Sequence, residues 1–79
     1  MKYHYYWNEK PPINKFCLFV ARMPIFKPGE EVKIRIRFVV GMANETSLIS
    51  INGGTIDPYE FDRWISFDEL DEILMEYRN

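Results

Sequence analysis

Glu31-Val32-Lys33-Ile34-Arg35-Ile36-Arg37-Phe38-Val39-Val40 is the stretch that decides the fold class. Val32, Ile34, Ile36, Phe38 and Val40 alternate with Glu31, Lys33, Arg35, Arg37 and Val39. In an extended chain successive side chains point to opposite faces, so this period of two reads as a strand. The apolar set is expected on a core face and the charged set in solvent. That is the pattern of an antiparallel sheet with one wet face.

Strand composition continues upstream. Ile13 to Met23 reads as a second strand, continuously apolar from Phe16 to Val20, which suggests a central place in the sheet with burial on both faces. Pro28-Gly29, between these two strands, suits the centre of a type II turn, where glycine supplies positive φ. Tyr3 to Trp7 has the aromatic composition of a strand, and the breaker Asn8 to Pro12 follows it. Downstream, Thr46 to Ile51 reads as a weaker fourth strand, closed by the tight-turn signal Asn52-Gly53-Gly54.

Residues 57–65 fit two descriptions. Tyr59, Phe61 and Ile65 alternate as in a strand. But Asp57-Pro58-Tyr59-Glu60 is a helix start, with an acidic cap and proline at the first helical position. Phe61, Trp64 and Ile65 then follow at helical spacing, and a short helical turn is the favoured reading. The last helix is plainer. Ser66-Phe67-Asp68-Glu69 is a capping box. Phe67, Leu70, Ile73, Leu74 and Tyr77 form one apolar stripe, and Asp68, Glu69, Asp71, Glu72 and Glu76 fill the remainder. The expected architecture is α+β: a small antiparallel sheet of three to five strands, with the amphipathic C-terminal helix packed on one face, in a single compact domain spanning residues 1–79.

Composition narrows the class. A chain of 79 residues with 47% apolar and 16% aromatic content is too apolar for disorder, yet its core is small. The single cysteine, Cys17, precludes an internal disulfide and favours a reducing compartment, so a cytoplasmic setting is expected. Cys17 lies within an apolar run and reads as a small core residue. No stretch has the length of a membrane span or the apolar core of a signal peptide.

Charge is split along the chain. Residues 1–40 hold eight Lys/Arg against three acids, whereas residues 57–79 hold eight acids against two Arg. The total of −2 conceals this dipole. It implies either two surfaces with different partners or an attraction of one for the other.

Catalytic chemistry has little to draw on. His4 is the one histidine, Gly53-Gly54 lacks the Lys-Ser/Thr of a phosphate loop, and the adjacent pairs Asp68/Glu69 and Asp71/Glu72 diverge around a helix. No enzyme, metal or cofactor is expected. The sequence reads instead as a small protein-binding module, an inhibitor or modulator of a larger protein, with the size and composition of small inhibitors encoded by viruses or mobile elements. Its expected contact is the acidic helix through Asp68, Asp71, Glu72 and Glu76, with Tyr59 and Trp64 as aromatic anchors. The partner would present a basic surface, such as that of a nucleic-acid-binding protein. The alternative is a single-stranded nucleic-acid binder in which Lys33, Arg35 and Arg37 track phosphates and Tyr5 and Trp7 stack on bases. A homodimer is compatible with both, since opposite charges can pair between copies and an unpaired edge strand can extend a sheet.

Overall fold

The computed structural model describes residues 2–78, with side chains to residue 75. Glu76, Tyr77 and Arg78 lie in the last helix, but their side chains fall outside the described residues, so the expected role of Glu76 has no structural counterpart here. Five strands and one helix follow in order: β1 (His4–Tyr5), β2 (Phe16–Ile25), β3 (Lys33–Ala43), β4 (Leu48–Ser50), β5 (Arg63–Ser66) and α1 (Phe67–Arg78). The strands form one antiparallel sheet in the order β1-β5-β2-β3-β4. The chain is α+β, and β2 is central as its apolar run requires.

Local chemistry explains the connections. Glu30 N–H donates to the Lys27 carbonyl at 3.1 Å, and Gly29 has φ of 78°, which makes the type II turn that Pro28-Gly29 predicts. Gly53, at φ 91°, closes the β4 exit with Gly53 N–H on the Ser50 carbonyl. Asp57 starts a single turn: its carboxylate accepts from Tyr59 N–H and its carbonyl accepts from Phe61 N–H. The helical reading of 57–65 holds only for that turn. Arg63–Ser66 is a strand, because it supplies β2 with its second neighbour, pairing Cys17 with Ser66 and Phe19 with Trp64. Ser66 then caps α1 directly, its hydroxyl oxygen accepting from Glu69 N–H at 3.2 Å. The aromatic segment Tyr3 to Trp7 pairs only at His4 and Tyr5 before it turns away.

Residues directly opposite in an antiparallel pair share a face. Registry therefore sorts the sheet. On the inner face lie Cys17, Phe19, Ala21, Val39, Ala43, Leu48 and Trp64, and the loop residues Ile56 and Phe61 close over them to make the core. On the outer face lie Phe16, Leu18, Val20, Arg22 and Pro24 of β2, opposite Met42, Val40, Phe38, Ile36 and Ile34 of β3.

One expectation is reversed here. Ile34, Ile36, Phe38 and Val40, read as core-facing, lie on the outer face, and the first three are exposed. The cause is neighbour length. β5 pairs with β2 only over Cys17–Val20, and β4 pairs with β3 only over Gly41–Ala43. Beyond those points β2 and β3 continue as a two-stranded arm, covered on its inner face only at the base, where Ala21 is buried and Arg37 meets Glu60 and Phe61. Arm and helix make the chain extended: its radius of gyration is 14.4 Å, against roughly 12 Å for a compact domain of this length. α1 contacts β5 and β2 and, among the described residues, has no contact with β3 or β4. Among the described residues no helix is long and apolar enough to cross a membrane.

Candidate functional site

The outer face of β2, β3 and β4 carries a set of exposed apolar side chains. Phe16, Ile34, Ile36 and Phe38 are 50%, 53%, 52% and 54% exposed, with Ile49 beside them and Leu18, Val40 and Met42 half-buried between. Isolated apolar side chains are ordinary on a surface, whereas a contiguous row marks a contact. Two hollows flank the row. One, of about 380 Å³, is lined by Phe16, Met42, Ile49 and Ile51. The other, of about 460 Å³, is lined by Tyr3, Tyr5, Val20, Arg22, Ile36 and Arg63. The first is apolar. The second carries the two arginines, with the Arg63 guanidinium 5.0 Å from the Tyr5 ring centre.

The basic stripe is on the other side. Lys33, Arg35 and Arg37 oppose Ile25, Met23 and Ala21, on the inner face of the arm, whereas Tyr5 opposes Arg63 on the outer face. The stripe and Tyr5 therefore cannot grip one strand of nucleic acid together. Arg37 is further committed to Glu60 at 2.6 Å and lies over the Phe61 ring, tying the arm to the loop at its base. Lys33, Arg35 and Arg22 form no ion pair among the described residues.

Trp64 is not available to a partner. It is 3% exposed, its indole N–H donates to the Glu9 carbonyl at 2.8 Å, and it packs in the core. The expectation of Trp64 as an aromatic anchor is not met: as a strand residue paired with Phe19 it points into the core. Tyr59 is 80% exposed and meets Trp7, ring centres 5.0 Å apart, with Tyr6 and the ammonium of Lys10 against the same indole. Asp68, Asp71 and Glu72 are exposed on α1, and among the described residues only Asp68 of these has an ion pair, with Lys15 at 3.7 Å between two solvated side chains.

Sequence reasoning gave His4 no partners, yet the structure sets three neighbours around its ring. Its ring stacks on Trp64 at 4.4 Å, Nδ1 lies 2.8 Å from Glu9 and Nε2 lies 2.7 Å from Glu69. An imidazole that donates from both nitrogens to carboxylates is the charged form. The clamp ties β1, the following loop and the first turn of α1 together. The hydrogen bond to Glu69 raises the His4 pKa above 6.5, helped by both carboxylate charges and opposed by partial burial. Burial would push Glu69 up, but the hydrogen bonds from His4 and Ser66 prevail and hold it below 4.5. A raised imidazole stabilises the fold fully below 6.5 and ceases to as pH rises through its folded value. A lowered carboxylate stabilises fully above 4.5 and ceases to as pH falls through its folded value. The clamp is therefore strongest between pH 4.5 and 6.5. With both carboxylates partly solvated, it contributes about 1 kcal/mol, or roughly 4–8 °C in Tm for a small domain. His4→Ala should melt lower than the parent by that amount near pH 6 and by less at pH 9; equal deficits at both pH values would show that the ring acts by packing alone.

Cys17 is fully buried, and desolvation pushes its thiol up to about 11, so it is inert core. No family model, curated protein or solved structure matches the chain.

Proposed function

We propose that this chain is a non-enzymatic protein-binding module that modulates or inhibits a larger protein by occupying one of its surfaces, and that the contact runs through the outer sheet face. The supporting observation is the row Ile34, Ile36 and Phe38, half-exposed along one face of β3, with Phe16 on the same face farther along the sheet. Anchors of this kind give interfaces their energy when a partner excludes water from them. The chemistry around the row selects the partner: Arg22 and Arg63 share the face, whereas Lys33 and Arg35 lie on the opposite face of the arm. The occupant is an amphipathic segment with an apolar stripe and acidic flanks. The acid-rich α1, with Asp68, Asp71 and Glu72 in solvent and Tyr59 exposed elsewhere, is the second binding surface of this reading. A reducing, cytoplasmic setting suits the lone thiol.

Fluorescence anisotropy with two labelled amphipathic peptides of the same apolar stripe, one acidic and one basic, tests this. The acidic peptide should bind, more weakly as salt rises. The double variant Ile36→Asp, Phe38→Asp should weaken binding roughly tenfold or more while melting like the parent, because both side chains already face water. Absence of binding by the acidic peptide at low salt overturns the docking face. If a single-stranded oligonucleotide binds instead and Lys33→Glu with Arg35→Glu abolishes it, the nucleic-acid reading takes its place.

A further inference from the structure

We infer that the occupant of the outer face is helix α1 of a second copy, each chain laying its helix on the other's arm in a reciprocal two-fold dimer. This rests on the reading of the outer face as a docking surface for acidic amphipathic segments.

Lys15 with Asp68 and Arg37 with Glu60 satisfy part of the charge split within one chain, and part is left over. Among the described residues α1 touches β2 but not β3, the strand that carries Lys33 and Arg35. Asp71 and Glu72 form no ion pair among the described residues, and neither do Arg22, Lys33 and Arg35. The apolar surfaces are unsatisfied in the same two places. Phe67, Leu74 and Met75 of α1 are exposed, as are Ile34, Ile36 and Phe38 of β3. The helix presents its apolar row beside acids, and the outer face presents its row beside Arg22, which lies opposite Ile36.

Dimensions agree. From Ile34 to Phe38 the strand runs roughly 13 Å at ~3.4 Å per residue. From Phe67 to Leu74 the helix runs roughly 10 Å at ~1.5 Å per residue. Because every copy carries both the helix and the arm, a two-fold axis makes the contact twice. Half-exposed side chains of this size offer on the order of 100 Å² each. The six named apolar residues then give roughly 600 Å² per contact, and symmetry brings the total to roughly 1,200 Å², where stable interfaces begin.

Sedimentation equilibrium of the full chain, at low and high salt, reads the association. The wild type should dimerise, with a dissociation constant that rises with salt. Ile36→Asp and Leu74→Asp should each weaken the dimer roughly tenfold or more. A chain that stays monomeric, or a dimer indifferent to either substitution, overturns the inference; the second result points to pairing along the free edge of β3. Cross-linking separates the remaining geometry. When Ile36→Cys and Leu74→Cys chains are mixed and mildly oxidised, the mixed disulfide should exceed both symmetric ones, and buried Cys17 does not compete. A dominant Ile36→Cys homodisulfide means that two sheets pack face to face, and overturns the helix as occupant. A monomer that still binds the acidic peptide sinks the second copy and leaves the proposed function standing. A monomer that binds no peptide removes both.

Discussion

Trp64→Ala should bring the domain close to unfolding. The indole is almost wholly buried among Phe19, Phe61 and Cys17, stacks on His4 and donates to the Glu9 carbonyl. Truncation removes the largest side chain of the core, opens a cavity and leaves that carbonyl without its donor. Losses of this kind cost about 3–5 kcal/mol, and a domain of this length has roughly 4–12 kcal/mol in total. His4 loses its platform as well, so the link between β1 and α1 loosens with the core. Trp64→Phe keeps a ring in place and forfeits the hydrogen bond, at about 1–2 kcal/mol. Urea unfolding followed by circular dichroism separates the pair: the alanine variant should have little or no folded baseline and the phenylalanine variant a lowered midpoint. An alanine variant with the parent's midpoint would mean that Trp64 is a surface residue after all.

Gly41→Ala should also destabilise, and by a different route. Glycine in a strand is ordinarily a weakness, so alanine would be expected to help by about 0.5–1 kcal/mol. Here the added carbon would stand 2.5 Å from Ile56 Cδ1 and 2.6 Å from the Ile49 carbonyl oxygen. Ile56 has some freedom to rotate, though it is buried in the core. The Ile49 oxygen is backbone of β4, and β4 must move to make room. Overpacking of this sort costs about 1–3 kcal/mol, and Gly41→Val costs more. Because β4 pairs with β3 only through Gly41, Met42 and Ala43, the strain falls on the whole edge strand. Hydrogen exchange should show lost protection at Ile51 and Ile56, whose N–H groups donate to Val40 and Leu48. Gly54→Ala is the control, since its nearest neighbour lies at 3.6 Å and the substitution should be neutral. A Gly41→Ala protein as stable as the parent would show that β4 is free to slide.

Much of this molecule was legible in order of appearance. The alternation over Glu31–Val40, the apolar centre of β2, the Pro28-Gly29 turn and the Ser66 cap are local patterns, and each matches its element. Alternation states which side chains share a face. It does not state which face finds cover. For Ile34, Ile36 and Phe38 that depended on two distant facts: β5 and β4 are too short to flank the arm, and Ile56 and Phe61 close over the opposite side. Trp64 turned on the same kind of fact. Residues 57–65 fitted a helical turn as well as a strand, and only the pairing of Trp64 with Phe19 chose the strand that buries it. His4 could not have been read at all, because Glu69 is 65 residues away and only the closing of β1 on β5 brings them together. Composition and period thus determined the class of fold and the charge of its two ends. Tertiary structure alone decided which apolar row became core and which remained a surface, since burial belongs to neighbours far apart in the chain.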